Sequence, residues 1–222
     1  MVPLARLFKR EWLSLYRQRS EWLHPLLFFL IATGLFPLAT SPKPALLEQM
    51  GGGVIWVMAL LALLLVLPRL FQPDYKDGTL QEWVLSPTSP RVWVSMKLLA
   101  YWLMMAVPLM VLTPIVGILF HLSSTAIEVL VISLVLGTPS LWLVGALLAA
   151  LTVSVEGKPM LISLVVLPLL TPVLMLGTLS VQKASQGLGY RGELGLLGAV
   201  LALALTLLPT LIGYLLRVMV LE

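Results

Sequence analysis

RLFQPDYKDGTLQEWVLSP, residues 69–87, opens the only long polar interruption in a sequence that otherwise reads as membrane from end to end; the interruption runs from Arg69 to Lys97. Thr79 and Glu82 stand at the T-x-x-E spacing of a capping box, so Thr79 is expected to cap a short helix while Glu82 reaches back to the cap's own backbone N–H. Ser86-Pro87 then stops that helix, because proline lacks a donor and restricts the residue before it. Leu80, Trp83 and Val84 fall at i, i+3 and i+4 and make one side apolar, while Asp74, Asp77 and Glu82 give the start an acidic character. A short amphipathic helix held outside the bilayer between two spans is a natural docking knob. The same pattern also suits a capped loop lying on lipid headgroups, so spacing alone leaves both open.

Working outward, 59% of the 222 residues are apolar and only 11% are charged. With a mean hydropathy of +1.03, no soluble domain could hide that much apolar surface inside itself. The chain is an all-α polytopic membrane protein. At about 20 residues per spanning helix across a core about 30 Å thick, the length allows six spans and little else, hence one transmembrane domain over residues 1–222. With no cysteine there are neither disulfides nor thiolate metal sites. The net charge of +4 does not imply nucleic acid, because the basic residues gather at membrane edges rather than on one face.

Residues 1–20 place Leu4, Leu7, Phe8, Trp12 and Leu15 on one arc of a helical period and Arg6, Lys9, Arg10 and Arg17 on the other, which reads as an interfacial helix. A signal peptide fits poorly, since the following apolar run is long and lacks a small-residue cleavage site. The first span runs from about Trp22 to Ala39, closed by Pro42 and Pro44. The second runs from about Gly52 to Leu67 after a flexible Gly51-Gly52-Gly53 opening, and the coupling segment, residues 69–90, follows it. The third covers roughly Val92 to Phe120 with Pro108 and Pro114 inside it. A fourth occupies about Ile127 to Val153, interrupted by Gly137-Thr138-Pro139. The fifth spans about Met160 to Leu179, where Pro168 and Pro172 either kink the helix or break it into a re-entrant hairpin. The sixth runs from about Leu194 to Leu216.

Orientation follows from the basic residues. With the N-terminus cytoplasmic, the inner side holds Arg6, Lys9, Arg10, Arg17, Arg19, Arg69, Lys76, Arg91, Lys97, Lys158 and Arg217, against Lys43, Lys183 and Arg191 outside. That asymmetry puts both termini and the segment in the cytoplasm.

Ion-coupled carriers need ionisable groups at mid-membrane. Here Glu11, Glu21, Glu48, Glu128, Glu156 and Glu193 fall at helix ends or in loops, and the lysines and arginines do the same. A proton-relay carrier is disfavoured, although ion binding by unwound backbone stays open. Gly157-Lys158 precedes Pro159 and lacks the glycine a phosphate-binding loop requires, so nucleotide energy would come from another polypeptide. His24 and His121 fall at opposite ends of the bilayer and cannot ligate one haem from both sides within one subunit; each reads best as an interfacial residue. Most of the tryptophans, Trp12, Trp22, Trp56, Trp83, Trp93, Trp102 and Trp142, fit an aromatic belt. No nucleophile–base pair or catalytic carboxylate pair can be assembled, so the chain reads as a non-enzyme.

Asp77-Gly78-Thr79-Leu80-Gln81, then Val84-Leu85-Ser86-Pro87 and a basic residue opening the next span, resembles the coupling loop of ABC-2 type exporter permeases. Leu35-Phe36-Pro37-Leu38, Gly53-Val54-Ile55-Trp56-Val57, Arg69-Leu70-Phe71, Leu136-Gly137-Thr138-Pro139 and Leu167-Pro168-Leu169-Leu170 together are similar to the B subunit of the cytochrome c maturation system, the haem exporter protein B or CcmB family. The likeness covers about Glu21 to Ser180. It implies an inner-membrane homodimer working with two copies of a CcmA-like ATPase, alongside CcmC, CcmD and the haem chaperone CcmE. It also implies ATPase contact through Arg69, Phe71, Asp74, Asp77, Gly78, Leu80, Glu82 and Trp83, with haem as cargo of the complex and no haem ligand assigned to this chain. Two other functions stay open on the residues: an ABC-2 permease for another lipid-like or drug-like substrate, and a non-transporting scaffold.

Overall fold

The computed structural model describes residues 4–17, 19–40, 43–85, 89–153 and 159–221. Helix α1, Leu4–Arg17, is amphipathic, with Leu15 buried and Phe8 stacked on Trp12 at 5.9 Å between ring centroids. It lies along the start of α6, Pro90–Leu119. The other long helices are α2 (Arg19–Ala39), α3 (Pro44–Val66), α7 (Ser124–Leu151), α8 (Pro159–Ser185) and α9 (Arg191–Leu221). Two short helices, α4 (Gln72–Lys76) and α5 (Thr79–Leu85), stand between α3 and α6, joined to α3 by a tight 3-10 turn at Leu67–Arg69. No strand occurs among the described residues. Five apolar helices are long enough to cross a bilayer, and a shorter apolar stretch, Leu23–Ala39, lies in α2. This is a multi-pass all-α membrane protein.

Proline does not break these helices. Pro108 and Pro114 lie inside α6, Pro139 inside α7, Pro168 and Pro172 inside α8, and Pro209 inside α9. The expected interruption at Gly137-Thr138-Pro139 is therefore absent, and α8 is one helix rather than a re-entrant hairpin. An interior proline costs about 3 kcal/mol, whereas unwinding in hydrocarbon would strand several peptide groups at several kcal/mol each. Continuity is the cheaper state. Pro44 likewise opens α3 instead of closing α2, at a position where a missing N–H costs nothing. Pro42, Ser86-Pro87 and Gly157-Lys158 lie outside the described residues.

Gly51-Gly52-Gly53 is not a flexible opening but lies within α3. A Cβ at Gly51 would stand 2.9 Å from Phe120, which caps the end of α6, and one at Gly52 would stand 2.7 Å from Val181 of α8. Small residues let helices approach where no hydrophobic effect drives them together. At the centre Trp56 is completely buried, and its Nε1–H donates to Ser133 Oγ at 3.1 Å. A Cβ at Gly137 or Gly177 would sit 2.3 Å from its ring. Trp142 Nε1–H donates to the Leu98 carbonyl and Trp102 Nε1–H to Thr138 Oγ1, each at 3.1 Å. The belt reading fails for Trp56, Trp93 and Trp142, which are buried in the bundle. Buried hydroxyls turn back on their own helices, as Thr33 does to the Phe29 carbonyl at 2.6 Å and Thr113 to the Leu109 carbonyl at 2.8 Å.

The packing also sorts the two ends of the bundle. Arg10 of α1 meets Trp83 of α5, and Gly213 near the end of α9 meets Pro90 at the start of α6. Both terminal helices therefore reach the end that carries α4 and α5. Gly51, Phe120 and the Lys183–Glu193 ion pair mark the other end.

Candidate functional site: the segment between α3 and α6

Local chemistry accounts for how the chain leaves the bundle and returns. Pro68 and Pro73 occupy first-turn positions of the 3-10 turn and of α4. Gly78 has φ +78, a left-handed conformation that glycine adopts without penalty, and this lets α5 turn away from α4. The cap differs from the expected box. Gly78 provides the first helical carbonyl, accepting from the N–H groups of Gln81 at 3.0 Å and Glu82 at 3.3 Å, while Asp77 Oδ1 accepts from the Thr79 N–H at 2.9 Å. Thr79 is thus the first residue of α5 and a donor to Asp77, not the cap. The Thr79 backbone and hydroxyl donors hold the Asp77 carboxyl below the usual carboxylate range.

The apolar side of α5 faces the protein. Leu80 is 0% exposed, and Phe71 just before α4 is 1% exposed. Trp83 is half-buried, stacked on Trp93 of α6 at 5.4 Å and 23°, and the Arg10 guanidinium lies 5.0 Å from its ring centroid. Such stacks contribute about 0.5–1.5 kcal/mol beyond area burial. Among the expected coupling residues, then, Phe71, Leu80 and Trp83 seat the segment on the bundle. The face turned outward is polar: Arg69, Lys76, Asp77, Gln81 and Glu82 are exposed. Asp74 is half-buried and turned to α6.

What Asp74 meets was not legible as a site. Lys97, placed by the sequence reading among the orientation charges at a helix end, is 2% exposed inside α6. Its Nζ is 2.5 Å from Asp74 Oδ2 and 3.5 Å from Glu11 Oε2 of α1. The Tyr101 ring centroid lies 4.9 Å away and that of Trp93 6.0 Å. A buried ammonium without partners would be prohibitively costly, and removing one partner of a buried pair typically costs about 3–5 kcal/mol. The signal was present in the spacing: Trp93, Lys97 and Tyr101 fall four residues apart on one stripe of the helix.

Beside this cluster is a cavity of about 780 Å³ whose wall includes Arg10, Glu11, His24, Arg69, Asp74, Asp77, Lys97 and Tyr101. It far exceeds the roughly 15 Å³ that one water requires. His24 is exposed on this wall, whereas exposed His121, with φ +56, ends α6 at the far side of the bundle. No group of three or more His, Cys, Asp or Glu side chains arranged for a metal occurs among the described residues.

The pattern common to the CcmB protein family matches residues 2–219. This chain belongs to that family. Membership reaches beyond Glu21 to Ser180, where the sequence motifs lie, and takes in α1 and nearly all of α9. Among its relatives, heme exporter protein B of Pseudomonas aeruginosa is 44% identical over 203 residues, 91% of each chain. Heme exporter protein B of Haemophilus influenzae is 39% identical over 96% of each chain. That of Escherichia coli K12 is 40% identical over 92% of this chain and 93% of its own. The CcmB likeness therefore spans the bundle, the segment and α1 together.

Proposed function

We propose that this chain is the membrane subunit of an ATP-driven haem exporter that serves c-type cytochrome biogenesis. The observation that carries the reading is its 44% identity to a heme exporter protein B along 91% of both chains. The segment of α4 and α5 faces the cytoplasm together with both termini, a reading that the lysine and arginine asymmetry supports. A CcmA-like ATPase docks on the polar face of Asp77, Gln81 and Glu82, while Leu80 and Trp83 anchor that face to the bundle. Two such chains work with two ATPases, together with CcmC, CcmD and the haem chaperone CcmE. Haem is cargo of this complex in the inner membrane, delivered to the periplasm or released with the loaded chaperone, and this chain itself is non-catalytic.

Deleting the chain and staining cellular proteins for covalently bound haem tests the reading. Loss of c-type cytochromes, restored by the intact chain, is expected. Normal cytochromes with altered tolerance to lipid-like or drug-like compounds would replace haem with another cargo. Restoration by a chain lacking the polar face would make it a scaffold.

A further inference from the structure

Helix α4 is five residues long and has no fully buried residue; its Tyr75 packs half-buried against the core, next to buried Phe71. Its charged tie to the bundle is the Asp74 carboxylate on Lys97 at 2.5 Å. The same ammonium holds Glu11 of α1, so one side chain of α6 joins two elements distant in sequence. On the open side of this clasp lies the 780 Å³ cavity, bordered by Pro73 and Asp74 of α4 and by Lys97 and Tyr101 of α6. The cavity leaves the Pro73–Asp74 side of α4 room to shift.

These two features act differently under load. Apolar contact at Leu80 is non-directional, so one surface can slide on another. A charge pair resists separation, because each step apart leaves the buried Lys97 ammonium less compensated. From this we infer that Lys97 is a positioning residue for energy coupling: movement of the α4–α5 segment passes into α6 through the Lys97–Asp74 pair, with Glu11 fixing α1 to the same point. The inference rests on the reading that the segment receives movement from a partner ATPase.

The test compares Lys97→Met and the all-apolar Glu11→Leu/Asp74→Leu/Lys97→Met variant with the conservative Asp74→Glu, each expressed in cells that contain the rest of the complex. Three quantities are measured: the amount of the chain in the membrane, the ATPase captured with it, and c-type cytochrome per molecule of chain. The triple variant removes the buried charges together, so it accumulates and captures ATPase. Its cytochrome yield per molecule is expected to fall roughly tenfold, within the usual range of coupling between sites, as it does for Lys97→Met. Asp74→Glu keeps its yield within about twofold. An unchanged yield per molecule in the triple variant overturns the inference, and so does a cytochrome loss that only follows the amount of protein in every variant. Normal cytochromes in cells without the chain would instead overturn the functional reading itself.

Discussion

Around Trp56 the helices close on an indole whose N–H is satisfied by Ser133 and whose ring lies where Gly137 and Gly177 have no side chains. Around Lys97 the same bundle holds an ammonium between two carboxylates, next to a 780 Å³ hollow. The first region leaves no room for a side chain at Gly137 or Gly177. The second ties α1, α4 and α6 to one buried ammonium, with space beside it. One chain thus combines a close-packed middle with an adjustable end, and the adjustable end is the one that carries the segment.

Substitutions that crowd the middle should have the largest effect. Gly177→Val would place carbon within the indole, beyond the about 1–3 kcal/mol usual for overpacking, and should abolish accumulation in the membrane as read by immunoblot. Trp56→Phe should cost about 2–4 kcal/mol, from a hydrogen bond and a partial cavity, seen as a lower melting temperature in detergent. Normal melting of both variants would mean that the middle is no tighter than the end.

Next comes the seat of the segment. Leu80→Ala should cost about 2–3 kcal/mol, yet act locally: protease access to residues 72–85 should rise before the bundle melts. Simultaneous loss of the segment and the bundle would erase the distinction between the two regions.

Smallest is the cap. Asp77→Ala should cost about 1 kcal/mol, seen as increased hydrogen exchange in α5 with the rest of the chain unchanged. Because the folded state lowers the Asp77 carboxyl's affinity for protons, the cap's contribution is full above the ordinary carboxylate range and is lost as pH falls through the lowered folded value. Acidification should therefore loosen α5 in the unchanged protein but not in Asp77→Ala.

The helices were legible because hydropathy and length alone specify them in a membrane protein. Gly51-Gly52-Gly53 and Gly137 were misread because glycine signals a break in water, whereas between spans it signals close approach, and sequence does not name the neighbour that approaches. The short helix was legible, but not what its apolar face meets: i, i+3, i+4 spacing puts Leu80 and Trp83 on one face without saying whether that face meets a partner or its own bundle. Lys97 escaped for a related reason. A basic residue near a helix end reads as orientation charge until Glu11 and Asp74, far apart in the chain, are seen to converge on it.

A photo-crosslinking residue placed at exposed Gln81, with a second at exposed Leu203 in the span α9 as the control, tests the central claim most directly in intact membranes. A crosslink from position 81 to the partner ATPase and none from position 203 is expected. Crosslinks from position 81 only to lipid, or to proteins of the periplasmic face, would contradict it.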